Sequence, residues 1–154
     1  MDYMILTEYL IYAAIIVVGI FILLLIKRKT RLPNHNELNN RLRAHLNTLE
    51  QFLKNEREHP SNGYDFFRKI TKFIYTTDRL AYTTNLLAEK ERIGDLDNIS
   101  QTLYEVENLL APYKFGLREG EDFSEYERAL AKVRECIRFS ENLLARDKQL
   151  KGRA

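Results

Sequence analysis

The chain has 154 residues, a net charge of +2, one cysteine and no tryptophan, and 45% of its residues are hydrophobic. That near-neutral balance, without a concentrated basic face, excludes an ordinary nucleic-acid binder, and a single cysteine excludes an internal disulfide and fits a reducing compartment. The distribution of residues says more than the totals.

Residues 1–8 (MDYMILTE) form a short segment with two acidic side chains, Asp2 and Glu8, and no basic one. Residues 9–26 then read YLIYAAIIVVGIFILLLI, eighteen positions without a charge. At the helical rise this stretch is ~27 Å long, close to the ~30 Å hydrocarbon core of a bilayer, and a helix satisfies its own backbone there. A transmembrane helix over 9–26 is therefore expected. A cleaved signal peptide is disfavoured: it needs positive charge first, a shorter apolar core and small residues at a cleavage site. Here the core ends in Leu-Leu-Leu-Ile and runs into Lys27, Arg28, Lys29 and Arg31. Basic residues that flank only the C-terminal end orient such a span with that end inside. The expectation is a single-pass protein of the cell membrane, N-terminus out and C-terminal domain cytoplasmic. Tyr9 and Tyr12 stand at the outer interface, and Gly19, with Ile15 and Leu23 at i±4, gives no GxxxG signal.

Residues 27–33 form a basic juxtamembrane linker that Leu32-Pro33 interrupts, because proline lacks a donor and restricts its predecessor. From 34 to 154 the pattern is helical throughout. Asn34 or Asn36 caps a helix near 36–59 whose stripe is Leu38, Leu42, Leu46, Leu49, Phe52 and Leu53. Pro60-Ser61-Asn62-Gly63 is a turn signal. A helix near 64–93 carries Phe66, Ile70, Phe73, Thr77, Leu80, Thr84 and Leu87, with Phe67, Ile74, Ala81 and Ala88 alongside. Tyr75 and Tyr82 are seven apart and off that stripe: most aromatics at helical spacing are core, and the alternative is an exposed face where the pair forms a sticky patch. Gly94-Asp95 starts a helix near 95–111 with Leu96, Ile99, Leu103, Val106 and Leu110 leading to Tyr113, and Pro112 limits it. Ser124 and Glu127 have capping-box spacing, and open a helix near 124–148 with Tyr126, Leu130, Val133, Ile137, Ser140 and Leu144. Nothing alternates with period two. The fold class is all-α: one N-terminal transmembrane helix followed by a cytoplasmic antiparallel bundle of about four helices. A long stalk is the rival, and the breaks at 60–63, 94 and 112 argue against it.

Chemistry is poorly signalled. A di-iron bundle needs two Glu-x-x-His pairs, and only Glu56 with His59 fits; His59 is read as a helix-end residue and His45 as a boundary residue. There is no phosphate loop, nucleophile elbow or Cys/His cluster, and Cys136 sits beside Val133 and Ile137 as a small hydrophobe. No catalytic, cofactor-binding or metal residue is assigned, and no cofactor, metal or nucleic acid is expected. Recognition has two candidate regions. In the loop 113–123, Phe115, Leu117 and Phe123 either pack on the bundle or anchor a partner. The acidic stretch 95–113, with Asp97, Glu105 and Glu107, either pairs with the basic stretch 124–154 or docks a basic partner.

The reading these features support is a non-enzymatic, membrane-anchored helical interaction module: an adaptor, assembly or regulatory subunit. Its partners are the lipid bilayer, through the N-terminal helix, and protein in a membrane complex. An alternative is a membrane-anchored inhibitor or immunity-type regulator, and a third is a small membrane-bound enzyme.

Overall fold

The computed structural model describes residues 2–29, 31–115 and 123–152, with side chains described at Tyr9, at Ile11–Leu24, at 31–114 and at 123–152. Every described element is helical: α1 (Asp2–Lys29), α2 (His35–Glu58), α3 (Gly63–Glu91), α4 (Gly94–Leu110), a 3-10 turn (Ala111–Phe115) and α5 (Ser124–Lys151). The chain divides into two compact units, Met1–Leu32 and Pro33–Ala154.

The first unit is the single helix α1. Its large apolar side chains are exposed at Tyr9, at Ile11, Tyr12 and Ile15–Val18, and at Ile20–Leu24. They cover the whole circumference, so α1 has no amphipathic face to fold onto a core. Among the described residues, no helix is long and apolar enough to cross a membrane. The transmembrane helix expected over 9–26 thus finds no support among the described residues.

The second unit is a four-helix bundle. Asn34 caps α2, its side chain accepting from the Glu37 amide at 2.8 Å. Asn62 caps α3 by accepting from the Asp65 amide at 2.9 Å. Each bond satisfies one of the amides a helix start leaves without a partner. The turn between these helices is fastened by Glu56. Its buried carboxylate accepts from the Ser61 amide at 2.9 Å and from the Ser61 hydroxyl. α3 ends on Arg92, held left-handed at φ 55°, whose amide donates to the Ala88 carbonyl. Glycine usually takes that position, yet here Gly94 lies just inside α4. At the start of α5 the expected box does not form. Phe123 occupies the cap position, Ser124 is already helical, and the Glu127 carboxylate pairs with Arg57 of α2.

The apolar stripes meet as their spacing implies. Leu49, Phe52, Leu53, Phe66, Ile70, Phe73, Ile74, Val106, Leu110, Tyr113, Tyr126, Ala129, Leu130 and Val133 form one core. Two details depart from the pattern. Leu143 is buried where Leu144 was expected, and Phe67 is exposed. Phe52 is the hub of an aromatic cluster, with ring centroids 5.5 Å from Phe66, 5.1 Å from Phe73 and 6.0 Å from Tyr126. The Tyr126 hydroxyl donates to the Leu49 carbonyl at 2.9 Å; burial first, then the charge of Glu56, pushes its pKa well above the usual phenol range. Packing is uneven around the bundle. α4 lies closely against α3 and α5, and α5 also receives α2, whereas α2 and α3 touch little despite being neighbours in the chain.

Candidate partner-docking surfaces

The two described ends of the loop region, Tyr113 and Phe123, pack on the bundle. Tyr113 is buried, and its hydroxyl accepts from the Tyr126 amide at 3.1 Å. Phe123 packs against the core, stacked on Tyr113 at 6.3 Å and edge-on to Tyr126 at 6.4 Å, with the Arg57 guanidinium 5.8 Å above its ring. The ring remains partly exposed, so packing on the bundle takes up part of its apolar surface. The backbone of Phe115 closes the 3-10 turn, while its side chain and all of Leu117 lie outside the described residues.

The acidic helix meets the basic one. Glu105 of α4 pairs with Lys132 of α5 at 2.8 Å, and Asp95 lies 3.0 Å from Arg146. The second contact satisfies distance but not hydrogen-bond direction, so the Asp95 Oδ2 atom is without a hydrogen bond there. Glu107 faces the other way. Partial burial and then the nearby charge of Asp78 raise its pKa, against the opposing pull of Lys114. Asp97 is exposed, with no ion pair among the described residues. The three carboxylates named from sequence therefore do not form one surface: Glu105 is used within the fold, Glu107 turns toward α3, and Asp97 points to solvent. Of the four basic residues at 27–31, only Arg31 has a described side chain, and it is exposed.

Two histidines take part in long-range contacts, and one of them departs from the sequence reading. His45 is not a boundary residue. It is 5% exposed, its Nε2 lies 2.8 Å from the Thr77 hydroxyl, and that hydroxyl donates to the Phe73 carbonyl, so Nε2 carries the proton. Burial lowers its pKa to about 4, leaving it neutral at pH 7. His35 joins three helix ends, with Nδ1 2.7 Å from Asp147 of α5 and Nε2 2.5 Å from Glu91 of α3. Burial disfavours its charged form, but the bonds to Glu91 and Asp147 and their charges outweigh it and raise the pKa. Neither position was singled out by spacing, since each depends on residues 32 to 112 positions away.

The exposed surface of α3 is aromatic: Tyr64 is 74% exposed, Tyr75 62% and Tyr82 57%, with Phe67 also exposed. At 100° per residue the three tyrosines fall on one line opposite the buried stripe. Beside that line, where α2 and α3 touch little, lies a groove of about 500 Å³ lined by Arg41, Ala44, His45 and Thr48 of α2 and by Lys72, Phe73, Thr76, Arg79, Leu80 and Thr83 of α3. Sequence periodicity marks each helix's core face. It does not mark a gap between two helices.

The groups weighed from sequence for metal or thiol chemistry are each accounted for by packing or exposure. Glu56 is committed to the 60s turn, His59 is exposed, and among the described residues no group of three or more His, Cys, Asp and Glu could hold a metal ion. Cys136 is fully buried, its thiol 3.7 Å from the Ile99 carbonyl, and burial pushes its pKa up to about 12, far from a reactive thiolate. No protein-family pattern matches the chain, and comparison with curated proteins and with solved structures likewise finds no match.

Proposed function

We propose that the chain is a membrane-anchored helical interaction module, a non-enzymatic adaptor or regulatory subunit that holds a docking bundle beside the cytoplasmic face of a membrane. The observation that carries this reading is the contrast between the two units. The four helices of Pro33–Ala154 each bury an apolar stripe, whereas α1 exposes large apolar side chains on every side from Ile11 to Leu24. Such a surface in water is unfavourable at ~25 cal/mol per Å². Lipid removes that penalty, and the charge-free run 9–26 has the length to use it. The basic residues at 27–31 support an orientation with the bundle inside. Tethering raises the local concentration of the bundle for membrane partners, so modest contacts suffice.

The reading is tested by cell fractionation. The full chain should stay with membranes through alkaline carbonate extraction, and protease added outside intact cells should leave 34–154 uncut. Neutralising Lys27, Arg28, Lys29 and Arg31 together should give mixed orientations. Release by carbonate overturns the anchor, and digestion in sealed cells overturns the orientation. Purification in mild detergent should recover a stoichiometric membrane complex, while a lone protein with substrate turnover would move the assignment to the enzyme.

A further inference from the structure

The groove between α2 and α3 differs from the other concave surfaces of the bundle in its charge. The depression between α2 and α5 is lined by Glu50, Glu58 and Glu127 as well as Lys54, Arg57 and Arg134, and the pairs Arg57–Glu127 and Arg134–Glu50 neutralise much of it. No acidic residue lines the α2–α3 groove, whereas Arg41, Lys72 and Arg79 do. Arg41 is shared with Glu37 one turn earlier, at 2.5 Å. Among the described residues neither Lys72 nor Arg79 is in an ion pair.

The floor is apolar and uncharged. Phe73 and Leu80 form it, with Ala44 on the wall, and His45 is spoken for by Thr77. The three threonines on the walls are also turned apolar. The hydroxyls of Thr48, Thr76 and Thr83 donate to the carbonyls of Ala44, Lys72 and Arg79, which leaves their methyl groups as the free ends. A cation-edged trough with a greasy floor calls for an occupant of complementary make-up.

The spacing selects among such occupants. Lys72 and Thr83 bound the groove along α3, a distance of ~16 Å at the helical rise, or about three turns. Lys72 and Arg79 are two turns, ~10 Å, apart on one wall, and Arg41 stands on the other. Charges strung along a valley match carboxylates repeated along a rod. A single phosphate headgroup would instead need its cations gathered at one point. The valley between two helices accepts the side-chain ridge of a third.

We infer that the α2–α3 groove is the docking site for an acidic amphipathic helix of a partner protein, its apolar i, i+3/i+4, i+7 stripe seated on Phe73, Leu80 and Ala44 and its carboxylates paired with Arg41, Lys72 and Arg79. This deepens the interaction-module reading and rests on it for the identity of the partner as protein, but not on the anchor.

The test uses the full chain in a neutral detergent and a fluorescent peptide of about five turns, with leucine at heptad a and d positions and glutamate on both flanks. Binding should be saturable and absent for a scrambled peptide of the same composition. The double variant Lys72→Glu with Arg79→Glu, both on exposed side chains, should weaken binding at least about tenfold, since like charges then face one another. A peptide with lysine in place of glutamate should bind that variant at least about tenfold better than it binds the parent, a gain that a misfolded variant does not produce. The inference is overturned if no peptide binds, or if the acidic peptide binds parent and variant equally. It is also overturned if the two cations instead govern binding to anionic vesicles or pairing of two copies of this chain. Carbonate extraction is indifferent to Lys72 and Arg79, so a failed groove leaves the anchor standing, and a failed anchor leaves the groove.

Discussion

Two seams of the bundle, each between helices adjacent in the chain, are built on opposite principles. Between α4 and α5 the helices lie close, the apolar stripes of Leu103, Val106 and Val133 are fully buried, and the acidic and basic faces meet through Glu105–Lys132 and Asp95–Arg146. Between α2 and α3 the helices join through the Phe52 cluster, the His45–Thr77 bond and the His35–Glu91 contact, and elsewhere leave a groove whose cations have no acidic counterpart in its walls. The first seam spends its complementarity on the fold. The second leaves Lys72 and Arg79 outside any ion pair among the described residues.

The sharpest way to break this comparison is a buried charge. Ile70 is 0% exposed, so Ile70→Asp should unfold the fragment 33–154, a loss of several kcal/mol set by the desolvation of an unpaired carboxylate. Thr76→Asp, two turns on but on the groove wall, should leave helicity and melting almost unchanged, because water and Lys72 accompany the new charge. If both variants melt alike, the two faces of α3 are not distinct. Next in size is a truncation against an addition. Leu103→Ala in the closed region should cost ~2–5 kcal/mol by denaturant unfolding. Ala44→Leu in the open groove should change stability by less than about 0.5 kcal/mol, the surface range, since the groove has room for it.

The third prediction is a pH effect. His45 is held below its ordinary pKa of 6.5, at about 4, so between these values the unfolded chain binds a proton that the folded one refuses. Stability is therefore lost as pH falls from 6.5 toward 4, by an amount on the order of 3 kcal/mol. His45→Gln should flatten that fall when denaturant midpoints at pH 7 and pH 5 are compared. His35 has the opposite sign. Its raised pKa gives a contribution complete below 6.5 and lost as pH rises through the folded value, so His35→Gln should steepen the fall toward acid. The last substitution is Gly94→Ala. A Cβ there meets nothing within 4 Å, so the gain is the ~0.4–1 kcal/mol of reduced unfolded-state freedom, seen as a modestly higher melting temperature.

Much of the bundle was legible in the sequence because its signals are local. Steps of three and four picked out Leu38, Leu42 and Leu49, the whole stripe Phe66–Leu87, and Leu96–Leu110, all of which are buried. The break at Pro60–Gly63 was read from residues that govern their own backbone, whereas the one placed at Gly94 turns on Arg92, with Gly94 already inside α4. Where local signals competed with distant ones, the distant ones won. Glu127 is drawn to Arg57, seventy residues away, and so leaves the box its spacing implied. His45 reads as a boundary residue beside a leucine stripe until Thr77 provides a buried partner. The α2–α3 groove had no sequence signature at all, because it depends on how two correctly read helices fail to close on each other.

The order in which the helices are fastened has a mechanical consequence. α2 is the first bundle helix after the α1 segment, and it is secured mainly to α5, at the far end of the chain. The ties are Asn39–Ser140, Arg43–Glu141, Arg134–Glu50, Arg57–Glu127 and the Tyr126–Leu49 bond. The helices α3, α4 and α5 follow one another and hold together through their own close seams. Tension entering at Arg31–Leu32 therefore loads the α2–α5 ties first, and can peel α2 away while α3–α5 stay joined. Pulled between its ends, the bundle should yield in two steps, the first releasing about 24 residues of α2. A single rupture would mean that the four helices share the load. A pull on the N-terminal end of α2 is thus also a lever, and the helix it moves first is one wall of the groove.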